Sequence, residues 1–150
     1  MSSDPLPAWA WQFSAGHLPT VRPMPLAAPI TEEWAWGGST GKGVKVAVID
    51  SGVDADHPRV GAVAGGVIVE PDDTSPTGAR VTETPHEDLY GHGTACAGII
   101  RELAPDCEIY SVRVLGAKLS GRGTVFAAGL DWAINSGMHV VNLSLSTGRA

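Results

Sequence analysis

Hydrophobic and polar positions along the 150 residues sort into short apolar runs separated by stretches of helical period. The densest run is Val44 to Asp50, VKVAVID, broken only by Lys45. A short Val- and Ile-rich run without alternation predicts a strand covered on both faces, as in a parallel sheet. Further strands are predicted within Val60 to Val69, Glu108 to Leu115 and Val140 to Leu145. Cys96, Ile99, Ile100 and Leu103 recur at helical spacing, as do Phe126, Leu130, Ala133 and Ile134, so each set predicts a helix with one apolar face. Thr124 is the expected N-cap of the second helix and Gly137 its stop. Residues 71–90, rich in Pro, Asp, Thr and Glu without periodicity, predict a surface loop. Strands alternating with helices predict an α/β fold, a parallel sheet flanked by helices.

Two parts are expected: a covering arm over residues 1–40 and a body over 41–150. Prolines at 5, 7, 19, 23, 25 and 29 forbid a long helix in the arm. Trp9, Trp11, Trp34 and Trp36 are the expected anchors holding it on the body. Thr31 to Trp34 predicts a short capped helix before Gly37 and Gly38. With the last strand so near Ala150, the sheet is expected to be incomplete on its C-terminal side, with an open edge prone to aggregation.

Charge narrows the partners. A formal net charge of -6 with no basic run argues against nucleic acid and against an anionic membrane. No apolar run approaches a spanning helix. The start, MSSDPLPAWAWQF, lacks the pattern of a secretory signal, so a cytoplasmic location is expected. Cys96 and Cys107 make no disulfide framework, which agrees. The glycine turn GGSTGKG fails as a phosphate loop, because Trp36 and Gly43 occupy positions that need Gly and Ser or Thr.

The chemistry concentrates at two points. Asp50 stands where the first strand ends, followed by Ser51 and Gly52. In open α/β sheets, functional groups gather at the carboxyl ends of strands. His92 lies between Gly91 and Gly93, directly before a predicted helix. A carboxylate beside such an imidazole fixes its tautomer and leaves Nε2 as a base.

VAVIDSGVDADHP, DLYGHGTACAGI and VVNLSLS together resemble the subtilisin-like serine proteases, the subtilases, from about Gly41 to Gly148. The resemblance implies a serine endopeptidase in which Asp50 is the orienting carboxylate and His92 the general base. It implies a cleft whose backbone edges are Gly121, Arg122 and Gly123 on one side and Ser144, Leu145 and Ser146 on the other. A peptide or unfolded protein segment would lie extended between them, as an added strand. Asp88 and Tyr90 would flank that cleft and favour basic or polar residues near the scissile bond.

The departures carry as much weight. The family's Gly-Thr-Ser-Met-Ala type nucleophile motif does not occur in these 150 residues, nor does its oxyanion-hole asparagine. Asn142 matches a structural position instead. The chain is therefore expected to be an N-terminal part of a catalytic domain, inactive alone, with a C-terminal complementing segment as one partner. The helix after His92 runs straight into LAPDCEIY, without the inserted calcium loop of some members. No cofactor or metal is expected, and a zinc site from His86, His92 and Cys96 fits no tight ligand spacing. The competing reading is a non-catalytic, peptide-binding subtilase-like module. A nucleotide-binding α/β protein is the third, weakened by the failed phosphate loop.

Overall fold

The computed structural model describes residues 31–144. They belong to two units divided after Gly37, and each is described by itself. The first contributes helix α1, Glu32–Trp36. The Thr31 hydroxyl accepts the N–H of Trp34 at 3.2 Å, and Gly37 closes the turn, as the sequence predicts. Trp34 and Trp36 lie on or at the end of this helix, while Trp9 and Trp11 lie outside the described residues.

The second unit holds strands β1 (Lys45–Asp50), β2 (Gly65–Pro71), β3 (Ala79–Glu83), β4 (Glu108–Arg113) and β5 (Val140–Asn142). Its helices are α2 (His92–Leu103) and α3 (Gly123–Asn135). The sheet runs in the order β3-β2-β4-β1-β5. Pairings β2–β4, β4–β1 and β1–β5 are parallel, but β3 pairs antiparallel with β2. The α/β fold is as expected; β3 makes the sheet mixed and corrects the loop expected over residues 71–90.

The correction has a local cause. Asp72 to Gly78 is a tight turn in which Asp72 Oδ1 accepts the N–H of Thr74 at 3.0 Å and its hydroxyl at 2.6 Å. The N–H of Asp72 also donates to the carbonyl of Gly78 at 3.1 Å. So short a connection can only return the chain antiparallel. The returning strand ARVTE buries only Ala79 and exposes the rest. An edge strand with no buried stripe has no period to betray it, so this segment looked like loop.

β1 lies inside the sheet between β4 and β5, is buried from Val46 onward, and its side chains serve two cores in alternation. Ala47 and Ile49 join Val67, Val112, Val125 and Ala133 under α3. Val46 and Val48 join Val53, Val60, Ala97 and Ile109 under α2. Covering on both faces explains why the run shows no alternation.

The helices meet the sheet differently from their predicted faces. In α2 the fully buried positions are Gly93, Thr94, Ala97 and Gly98, with Cys96 and Ile100 packed beside them. Ile99 and Leu103 are exposed. Small residues win this face because the helix lies too close to the sheet for larger ones. In α3, Val125, Gly129 and Ala133 are buried, Phe126 and Leu130 pack at the margin, and Ile134 is exposed. Thr124 is not its cap: Arg122 holds that position, with no side-chain cap bond. Leu145 and Ser146 lie outside the described residues. No helix among the described residues is long and apolar enough to cross a membrane.

One side chain clasps the α2 end of this unit. Arg101 donates from Nε to the carbonyl of Val60 at 2.8 Å and from Nη2 to that of Ala62 at 3.1 Å. Its Nη1 donates to the carbonyls of Pro105 at 2.9 Å and Cys107 at 2.7 Å. A planar fork reaches all four and an ammonium does not. Arg101→Lys is expected to cost about 2–3 kcal/mol of stability, measured as a lower urea midpoint at unchanged slope. An unmoved midpoint would show that the clasp adds nothing.

Candidate active site

β1 ends in Asp50, whose side chain is fully buried. A buried carboxylate is tolerable only if its oxygens are satisfied. The N–H of Ser51 donates to Oδ1 at 2.7 Å. Nδ1 of His92 lies 2.9 Å from Oδ1 and 2.8 Å from Oδ2. Forty-two positions apart in sequence, the two groups meet at the carboxyl end of β1. His92 opens α2 with its side chain 39% exposed, so one edge of the ring is held inside and the other faces outward. With Nδ1–H donating to Asp50, Nε2 carries the free lone pair. Among the described residues it has no hydrogen-bond partner.

Two glycines make this meeting possible. Gly91 takes φ 101°, a left-handed turn that swings the chain into α2. Gly93 faces the strand end: a Cβ there would run into the carbonyl oxygen of Gly52 and lie 3.0 Å from Cβ of Asp50. Gly91 thus sets the turn, and Gly93 lets the helix start come down against the strand end.

Asp88 is used differently from its expectation at the substrate cleft. Its Oδ1 accepts from the Ser51 hydroxyl at 2.7 Å and from the N–H groups of Tyr90 at 2.9 Å and Gly91 at 2.8 Å. Its Oδ2 accepts from Thr94, N–H at 2.8 Å and hydroxyl at 2.6 Å. Partial burial alone would raise its pKa, but these bonds outweigh it and hold the carboxyl down to about 2. A carboxylate so occupied is no free contact for a substrate cation. Tyr90 is exposed.

His86 also turns inward: its ring meets the carbonyl of Thr84 at 2.9 Å and the Ser111 hydroxyl at 2.8 Å. Burial pushes its pKa below the ordinary histidine value. It therefore takes no part in a cluster with His92 and Cys96. Asp50, His92 and Cys96 do converge, with ligand-type atoms within 4.8 Å of one another. Two ligands of a tetrahedral zinc, each about 2.0–2.1 Å from the ion, stand about 3.3 Å apart. The 2.8 Å contact of Asp50 and His92 is the length of a charge-assisted hydrogen bond instead. Cys96 Sγ lies 4.0 Å from Nδ1.

The expected cleft residues fall as follows. Gly121 and Arg122 line a cleft of about 520 Å³ with Leu89, Val114, Leu115 and Val125. Gly123 opens α3. Arg122 pairs with Asp73 at 2.8 Å on the surface. Ser144 is exposed, and its hydroxyl donates to Oδ1 of Asn142 at 3.1 Å.

Residues 41–150 match the model of the subtilase family, peptidase S8. The chain belongs to the subtilase family. Subtilisin Savinase of Lederbergia lenta is 43% identical over 119 residues, covering 73% of this chain and 40% of that protein. The alkaline protease of Alkalihalobacillus alcalophilus is also 43% identical, over 73% of this chain and 28% of that protein. A crystal structure of a lanthipeptide protease is similar at 36% identity and a TM-score of 0.56, over 71% of this chain and 30% of that one. This subtilase chain thus spans 28–40% of the length of these relatives. The α/β fold is that of the family, and the family is one of serine proteases.

Two outcomes follow from the geometry. Gly93→Ala is expected to lose at least about 2 kcal/mol of stability, because helix and strand end must separate; a crystal structure or melting curve unchanged by it would contradict the close approach. The Asp88 pKa of about 2 lies below its ordinary 3.8, so its contribution to stability is present above 3.8. It is lost as pH falls through the interval down to about 2. Thermal melting from pH 6 to pH 2 should show this loss, and Asp88→Asn should flatten that part of the profile.

Proposed function

We propose that this subtilase chain supplies the orienting carboxylate and the general base of an Asp-His-Ser endopeptidase. The nucleophilic serine and oxyanion hole would come from sequence beyond these 150 residues, on the same polypeptide or as a complementing segment. The observation that carries the reading is the hydrogen bond from Nδ1 of His92 to buried Asp50. It locks one tautomer and stabilises the imidazolium that forms when Nε2 takes a proton. Nε2, on the outer edge of the ring, is then placed to accept the hydroxyl proton of a serine and return it to the leaving amine.

Substrate would be an extended peptide or unfolded segment, held between residues 121–123 and 144–146 by main-chain hydrogen bonds. The cleft beside Gly121 and Arg122 would then take a side chain of that segment. Asp50 stays a carboxylate and takes up no proton in this scheme; it holds the ring. Taken alone, the chain would bind such a segment without cleaving it.

The test uses an unfolded protein substrate and two samples. The chain alone should give no turnover that depends on His92. Joined to, or mixed with, a serine-bearing subtilase segment that completes the domain, it should cleave, and His92→Ala should then lower kcat by about 10⁶-fold. His92-dependent turnover by the chain alone would overturn the division of the triad. Peptide affinity without turnover in the completed protein would favour the binding-module reading instead.

A further inference from the structure

The Asp50–His92 contact joins two elements that the chain connects only through a long excursion. The bond at 2.8 Å exists only while the end of β1 and the start of α2 are held in one register. Packing gives that register coarsely, through the approach of Gly93 to Gly52. A finer device stands next to it.

The N-cap of α2 is Gly91, which has no side chain to satisfy the orphan N–H groups of the first turn. Asp88, three residues earlier, accepts from the N–H groups of Tyr90, Gly91 and Thr94 in its place. The same carboxylate takes the hydroxyl of Ser51, the residue directly after Asp50. Ser51 is itself tied in three ways. Its N–H holds Asp50 Oδ1, its hydroxyl accepts the N–H of Gly93 at 3.3 Å, and its carbonyl accepts the N–H of Leu89 at 3.0 Å. Thr94 completes the ring, accepting the N–H of Asp54 at 3.0 Å while it donates to Asp88. The loop after the carboxylate and the turn that carries the imidazole are thus strapped to one side chain.

We propose that Asp88 is a positioning residue for the Asp50–His92 pair, setting how His92 Nδ1 meets the carboxylate. This rests on the reading of that pair as the base and its orienter. Every donor to Asp88 comes from the strand-end loop or from the first turn of α2 and the residues leading into it. A carboxamide cannot replace it. Its one oxygen can serve the Ser51 side or the Thr94 side, and its amino group faces an N–H on the other. With one side released, the ring gains freedom about the axis that the Asp50 bond requires to be fixed.

Asp88 could instead serve stability alone, as a helix cap. The two roles separate in a spectrum. The Nδ1 proton of a histidine held by a buried carboxylate resonates far downfield and exchanges slowly with water. It should be followed in the full chain, labelled at histidine nitrogen, as wild type, Asp50→Asn and Asp88→Asn, each below its own melting temperature. We expect Asp50→Asn to abolish the His92 downfield proton, and Asp88→Asn to broaden it or move it upfield while the other histidines keep their signals. If Asp88→Asn does not fold, Ser51→Ala removes the strand-end tie to Asp88 and Thr94→Val the hydroxyl tie, leaving only the backbone N–H of residue 94 on Oδ2. Each should give the same change. A downfield proton unmoved in Asp88→Asn, or in both of those variants, would overturn the proposal and leave Asp88 a cap. A signal insensitive to Asp50→Asn would mean that the pair does not form, and both readings would fall together.

Discussion

The whole arrangement depends on how closely a helix start can approach the end of a buried strand. Asp50 lies at the carboxyl end of β1, a strand covered on both faces, with its side chain fully buried. An ionised carboxylate there must be met by donors within hydrogen-bond reach. The donors are one backbone N–H and one imidazole, and the imidazole arrives only because α2 presents a face of Gly93, Thr94, Ala97 and Gly98. Larger residues would hold the helix a few ångströms off, and the carboxylate would be stranded.

That constraint orders much of the surrounding polar structure. Asp88 sits outside the pair, yet its five donors are drawn from both sides of it. No buried side-chain nitrogen or oxygen among the described residues is left without a partner. The site is therefore a satisfied network, which favours one geometry over many. Only the outer edge of His92 stays open, and that is the edge where proton transfer would occur.

The chain belongs to the subtilase family and spans 28–40% of the relatives' lengths. On the proposed reading it contributes the groups that prepare a base. β1 supplies the carboxylate, α2 the imidazole, and the segment after β4 one wall of a cleft. The motifs identify the relatives, and the structure brings the Asp and His of those motifs together.

By itself the sequence determined the buried strand β1, the α/β alternation, both long helices and the two residues that meet. Each of these is written in a local signal: a doubly covered apolar run, helical spacing, or Asp and His in motifs whose residues must be these. The tertiary structure alone decided which face of α2 is buried, that Thr124 is no cap, and that residues 79–83 form a strand. It also decided that Asp88 turns inward to Ser51 and Thr94, away from the cleft. Those features share a physical reason. They are set by how near two distant segments come, and periodicity registers only the neighbours along one element. Ile99 and Leu103 satisfy helical spacing as well as Cys96 and Ile100 do, yet the sheet accepts only what fits within its short distance from the helix.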